Sequence, residues 1–94
     1  MKLYYIRTNG YDMLIADHGD HRHYLTECDA RGFGVHPEDD DEAMQYLTDN
    51  AEELAYNSHE WEETEETVDE LIDWQGTEIM AEIEVEDEDN HEEV

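Results

Sequence analysis

Apolar positions in the first third of the chain cluster in short runs separated by turn signals. Leu3-Tyr4-Tyr5-Ile6 is aromatic and β-branched, and Asn9-Gly10 follows, a dipeptide that joins hairpin strands. Asp12-Met13-Leu14-Ile15-Ala16 predicts the return strand. Asp17-His18-Gly19-Asp20 predicts a second turn, and His23-Tyr24-Leu25-Thr26-Glu27-Cys28 a third strand. Arg31 to Pro37 reads as a loop in which Gly32 and Gly34 flank Phe33.

The period then changes. A helix is expected from about Pro37, because proline suits the first helical position and the acids at 38–42 favour the positive end of a helix dipole. Ala43, Met44, Leu47, Ala51, Leu54 and Ala55 fall on one helical stripe. The opposite face carries Glu38, Glu42, Asp49 and Glu53, with Glu52 and Tyr56 near its edge. Asn57-Ser58 ends this helix or caps the next.

A second helix is expected from about Glu60 to Gln75, with Trp61, Val68, Leu71 and Ile72 on one face. Its reverse holds Glu63, Glu66, Glu70 and Asp73, flanked by Glu62 and Asp69, and Gly76 suits the position after its end. Residues 77–86 alternate: Ile79, Ala81, Ile83 and Val85 point one way, and Glu78, Glu82, Glu84 and Glu86 the other. The sum is an α+β domain over residues 1–86. It is an antiparallel βββααβ sheet with two acidic amphipathic helices on one face, followed by a disordered acidic tail at 87–94.

Composition bounds what such a domain can be. A chain of 94 residues holds one core. The single cysteine, Cys28, excludes an internal disulfide, so no oxidising compartment is required. The amino-terminal stretch is too short and polar for a signal peptide, and no apolar run approaches the ~20 residues of a membrane span. A cytoplasmic protein without membrane contact is expected.

Charge changes the picture most. All four cations, Lys2, Arg7, Arg22 and Arg31, lie in the first 31 residues, whereas residues 38–94 carry 25 carboxylates and no lysine or arginine. The total is −26. Single-sign surfaces repel themselves and destabilise compact states, so this field suggests a use beyond solubility. Duplex DNA carries one charge per ~1.7 Å, so the carboxylates match roughly a dozen base pairs. Arginine forks bind carboxylate as readily as phosphate. Adaptation to high salt is the competing explanation, but it should spread acids more evenly than this split.

Other constellations are weaker. Trp74 falls on the acidic side of the second helix, and Tyr46 and Tyr56 near the polar side of the first. Such aromatics anchor interfaces or simply cover helix ends. His18, His21 and His23 offer imidazoles to a metal such as zinc, but Arg22 in their midst opposes a cation. Solvent-exposed turn histidines are the plainer interpretation. Glu38 to Glu42 and Glu86 to Asn90 are oxygen-rich but lack the glycine-containing loop of an EF-hand. No nucleophile arrangement or phosphate-cradling loop stands out, so neither an enzyme nor a cofactor is expected.

In size, acidic helix faces and element order the chain resembles small acidic phage-encoded DNA-mimic proteins, in particular anti-CRISPR inhibitors. The resemblance is one of style and carries no residue-level motif. It implies inhibition by occupancy, the chain sitting where target DNA should enter a CRISPR nuclease or surveillance complex. The expected contacts are Glu38, Glu42, Asp49, Glu52, Glu53, Glu62, Glu63, Glu66, Asp69, Glu70, Asp73 and Trp74. The partner would be a basic nucleic-acid-binding protein, with no direct binding of nucleic acid. The alternatives are a neutraliser or chaperone of another basic protein, such as a toxin or histone-like protein, a halophilic acidic domain, or a metal-dependent enzyme using the histidines. Strand edges beside the neutral face would allow a homodimer.

Overall fold

Three strands form where the apolar runs predict them: β1 (Lys2–Arg7), β2 (Asp12–Asp17) and β3 (Arg22–Glu27). The computed structural model describes residues 1–8, 11–27, 33–34, 37–73 and 78–85. The Asn9-Gly10 turn, Cys28, Trp74, the Gly76 cap and the acidic tail lie outside them. The 17–20 turn forms as read. Asp17 Oδ1 accepts from the Gly19 N–H at 2.9 Å, and Gly19 takes φ +104°, a conformation that glycine adopts without steric cost.

After the strands come α1 (Asp40–Asp49), α2 (Ala51–Asn57), a 3-10 turn (Ser58–Glu60), β4 (Glu62–Thr64), α3 (Val68–Asp73) and β5 (Glu78–Glu84). The sheet order is β4-β3-β2-β1-β5, and every neighbouring pair is antiparallel. The class is α+β.

The central strands are apolar on both sides. Leu3, Tyr5, Leu14 and Ala16 face one way and pack under Ala43, Leu47 and Leu54 of α1 and α2, with Met80 and Ala81 of β5. Tyr4, Ile6, Met13 and Ile15 face the other way and pack against Val68 and Leu71 of α3. Helices therefore cover both faces of the sheet, where the sequence reading put two on one face. The continuous runs Leu3–Ile6 and Met13–Ala16 carry the reason, since a strand buried on both faces cannot alternate with polar residues.

The first helix starts two to three residues later than expected. Asp39 is its N-cap and accepts from the Glu42 N–H at 3.0 Å. Pro37 precedes it, and its carbonyl accepts from Arg7 at 3.0 Å. The helix is broken at Asn50, whose Nδ2 and backbone N–H both donate to the Tyr46 carbonyl. Along the stripe, Ala43, Leu47 and Leu54 are buried, while Met44 is 40% exposed.

The expected helix at 60–75 is largely replaced. Residues 58–60 form the 3-10 turn, and Glu62–Thr64 pairs with β3 as an edge strand. Helix begins only at Val68, behind a capping box. The Thr67 hydroxyl oxygen accepts from the Glu70 N–H at 3.1 Å, and the Glu70 carboxylate accepts from the Thr67 N–H at 2.9 Å. Trp61 consequently packs against the α1–α2 cluster, away from Val68, Leu71 and Ile72.

Strand β5 also departs from simple alternation. Its register with β1 shifts between Tyr5 and Ile6, which pair with Ala81 and Ile79, so Met80 is the extra residue of a bulge. Met80 turns into the core, and Ile79 is left 38% exposed beside Ile6.

One buried polar contact joins β1 to β2 beneath α1. The Tyr5 hydroxyl donates to Asp12 Oδ2 at 2.8 Å, and Arg7 Nε lies 3.6 Å from Asp12 Oδ1. Burial, then the Asp12 bond, push the Tyr5 phenol far above its ordinary pKa of 10.0. The folded value exceeds the unfolded one, so this contribution is full below pH ~10 and is lost as pH rises beyond it. Tyr5→Phe should cost about 1–2 kcal/mol in urea unfolding near neutral pH, because the buried Asp12 loses a donor.

Candidate functional site

The acidic half of the chain faces solvent. Every described carboxylate from Glu38 to Glu84 is exposed. Among the described residues, Lys2 on Glu82 at 3.1 Å is the one lysine or arginine ion-paired with this set. Arg7 and Arg22 pair instead with Asp12 and Asp17, inside the strand-rich third.

The expected contact residues divide into three groups. Glu38, Glu42, Asp49, Glu52 and Glu53 lie on α1, α2 and the segment leading into them, above one face of the sheet. Asp69, Glu70 and Asp73 lie on α3, over the opposite face. Glu62 and Glu63 belong to edge strand β4 rather than to a helix, and Glu66 to the turn after it. Within β4, Glu63 is opposite His23 and shares the α1–α2 face, while Glu62 is opposite Tyr24 on the other. A flat partner on the α1–α2 face therefore meets the first group and Glu63, while Glu62 and the α3 acids lie on the other side of the sheet. Trp74 lies outside the described residues.

Local structure holds several of these acids in place. Glu42 Oε1 accepts from the Glu38 N–H at 2.8 Å, and Asp49 Oδ1 accepts from Gln45 Nε2 at 2.9 Å, one helical turn apart. Asp40, Asp41 and Glu42 sit in the first turn of α1, where the dipole favours them. Asp49 and Asp73 sit in last turns that contain no basic residue, where the dipole disfavours them.

The aromatics differ from one another. Tyr46 is half-buried, edge-on to Tyr5 with centroids 5.9 Å apart, so it is core rather than interface. Tyr56 is 71% exposed and meets His59 edge-on at 5.9 Å. It is the most exposed aromatic among the described residues. Beside it, Phe33, Tyr46, Asn50, Glu53, Leu54 and Asn57 line a shallow hollow of about 280 Å³.

The three turn histidines come together. His18 Nε2 lies 3.0 Å from His23 Nδ1. The His18 and His21 rings stack at 4.7 Å, and both meet His23 nearly edge-on. His21 Nδ1 is 2.7 Å from Asp20 Oδ1, a contact that lowers the Asp20 pKa. His23 is 8% exposed, and burial, reinforced by His21, lowers its pKa against the opposing pull of Glu63. Its Nε2 is 3.7 Å from Glu63 Oε1.

Arg22 does not oppose this cluster. It is opposite Asp17, on the α3 side of the sheet, whereas His23 is opposite Ala16 on the α1–α2 side. Its guanidinium is committed there to Asp17 and to the carbonyls of Gly19, Glu65 and Glu66. Strand alternation is the signal that separates neighbours Arg22 and His23.

No known protein family, curated protein or solved structure matches the chain. No described helix is long and apolar enough to cross a membrane.

Proposed function

We propose that this chain is a non-enzymatic nucleic-acid mimic that occupies the basic groove of a nucleic-acid-binding protein and so blocks target DNA. One observation carries the proposal: an exposed carboxylate array whose single lysine or arginine partner, among the described residues, is Lys2. Such an array keeps its charge available for a partner's cations. Dimensions support it, since a duplex as long as the 43 Å principal axis carries ~25 phosphate charges. The 25 carboxylates of residues 38–94 are of that order. The resemblance to anti-CRISPR inhibitors makes a CRISPR nuclease or surveillance complex the first partner to test.

The α1–α2 side is the preferred contact face. It presents Glu38, Glu42, Asp49, Glu52 and Glu53 together with Tyr56. Aromatic and arginine pairs of this kind dominate interface energetics.

Competition binding tests the proposal. Labelled duplex bound to a guide-loaded CRISPR nuclease should be displaced stoichiometrically by the chain, without turnover. Displacement should weaken steeply between about 50 and 300 mM salt, as screening shortens the field. A panel of basic DNA-binding proteins separates a specific decoy from a general polyanion. Unchanged DNA binding by every member at low salt overturns the proposal.

A further inference from the structure

Beyond the acidic surface, and independent of it, the geometry points to a divalent transition-metal site built by His18, His21 and His23, of the kind that takes zinc. Each residue offers one ring nitrogen, and these atoms all lie within 4.8 Å of one another. Two ligand nitrogens on a tetrahedral zinc sit roughly 3.3 Å apart, given Zn–N lengths of about 2.0–2.1 Å. The His18 Nε2 to His23 Nδ1 spacing of 3.0 Å already approaches that value. His21 is partly exposed in the turn before β3, and its ring leaves the stack on His18 when it joins the set.

The outer nitrogens argue most strongly. Histidine ligands usually donate their other ring N–H to a carboxylate or carbonyl, which fixes the tautomer and the ring. His21 Nδ1 is already on Asp20 at 2.7 Å, leaving Nε2 for a metal. His23 Nε2 faces Glu63 at 3.7 Å, leaving Nδ1, the atom that meets His18. Two of the three ligands thus have a carboxylate on the side away from the metal. A solvated acidic surface does not require that arrangement.

Proton accounting is simple. Without metal, the 3.0 Å contact needs a proton on either His18 Nε2 or His23 Nδ1. On metal binding both nitrogens must be bare, so whichever ring carries that proton changes tautomer: His18 to Nδ1–H, or His23 to Nε2–H, the nitrogen that faces Glu63 at 3.7 Å. Three neutral nitrogens suit zinc, cobalt, nickel or copper rather than magnesium or calcium. Solvent would fill the fourth position. Such an ion would tie the β2–β3 turn to the start of β3, beside the β4 edge.

Untagged full-length chain, dialysed against chelator, should bind one equivalent of Zn(II) with a Kd below about 1 µM in the presence of millimolar Ca(II), and its melting temperature should rise. Co(II) should give the intense visible bands of a low-coordinate nitrogen site. His21→Ala should weaken Zn(II) binding at least 100-fold, and Asp20→Asn, which leaves all three ligands, by roughly 10-fold. His21 and Asp20 are partly or fully exposed, so both variants should remain folded by circular dichroism. Zn(II) binding that millimolar Ca(II) abolishes, or that His21→Ala leaves unchanged, assigns the metal to the carboxylate surface and overturns the site. Absence of any one-equivalent binding overturns it equally.

Discussion

Reversing Asp49, Glu52 and Glu53 to lysine should weaken competition with duplex DNA by on the order of 100-fold. All three side chains are exposed on the α1–α2 face, and none contributes to the packed core. Each reversal removes one attraction to a basic groove and adds one repulsion. At about 1 kcal/mol per contact in a well-solvated interface, three positions give ~3 kcal/mol, or about two orders of magnitude. Folding should survive. The changes relieve self-repulsion in a chain of net charge −26, and Asp49→Lys puts a cation where the end of α1 prefers one. Lysines at 52 and 53 oppose the α2 dipole by a few tenths of a kcal/mol each. Asp69→Lys with Asp73→Lys is the comparison on the other face of the sheet, where α3 lies, and changes the net charge by two thirds as much. That pair should shift competition only a few-fold. The opposite ranking would move the contact to α3. Full competition by both variants would remove the charge argument altogether.

Much of the fold was legible because its strongest determinants are local. The three amino-terminal strands follow from short β-branched and aromatic runs, and the 17–20 turn from a glycine that accepts positive φ. What failed was periodicity across a segment that is not periodic. Trp61, Val68, Leu71 and Ile72 fit one helical stripe, yet the chain between Trp61 and Val68 forms an edge strand and a turn. Glu62-Glu63-Thr64 has no apolar alternation to announce a strand, and its pairing with β3 is a long-range event. A sharper local signal was available at Thr67-Val68-Asp69-Glu70, where the capping box starts the real helix. The two-faced core was likewise written in the unbroken Leu3–Ile6 and Met13–Ala16 runs. The Met80 bulge was not legible, since its cause is registry with β1. At the candidate site, exposure of the carboxylates followed from composition, but their division between two faces required the topology. The histidine cluster was visible as spacing. Its compactness depends on the turn geometry, and the apparent obstacle, Arg22, disappears once strand alternation sends it to the opposite face.

Arg22→Ala should be the most destabilising single substitution outside the apolar core. Its side chain is 7% exposed, and it ties three segments together. It donates to the Gly19 carbonyl at 3.2 Å in the β2–β3 turn and to Asp17 Oδ1 at 3.3 Å on β2. It also donates to the Glu65 carbonyl at 2.6 Å and to the Glu66 carbonyl, in the turn that launches α3. Removing it takes the donor from three part-buried carbonyls and leaves Asp17 without its cation, at a cost of about 3 kcal/mol. For a domain of this size each kcal/mol lowers the melting temperature by roughly 4–8 °C, so a fall of about 12 °C or more is expected. Arg22→Lys should recover only a small part, because an ammonium cannot span the carbonyls that the guanidinium fork reaches on both sides. Lys2→Ala controls for charge. It removes one cation from the same acidic chain, but from a solvent-exposed pair with Glu82, and should leave the melting temperature close to that of the parent. Hydrogen exchange adds the spatial test. The Leu71 amide, bonded to the Thr67 carbonyl at 2.9 Å, should lose protection first in Arg22→Ala, while amides in the β1–β2 pair retain theirs. Equal losses of stability in Arg22→Ala and Lys2→Ala would mean that net charge, rather than this buried anchor, sets the effect.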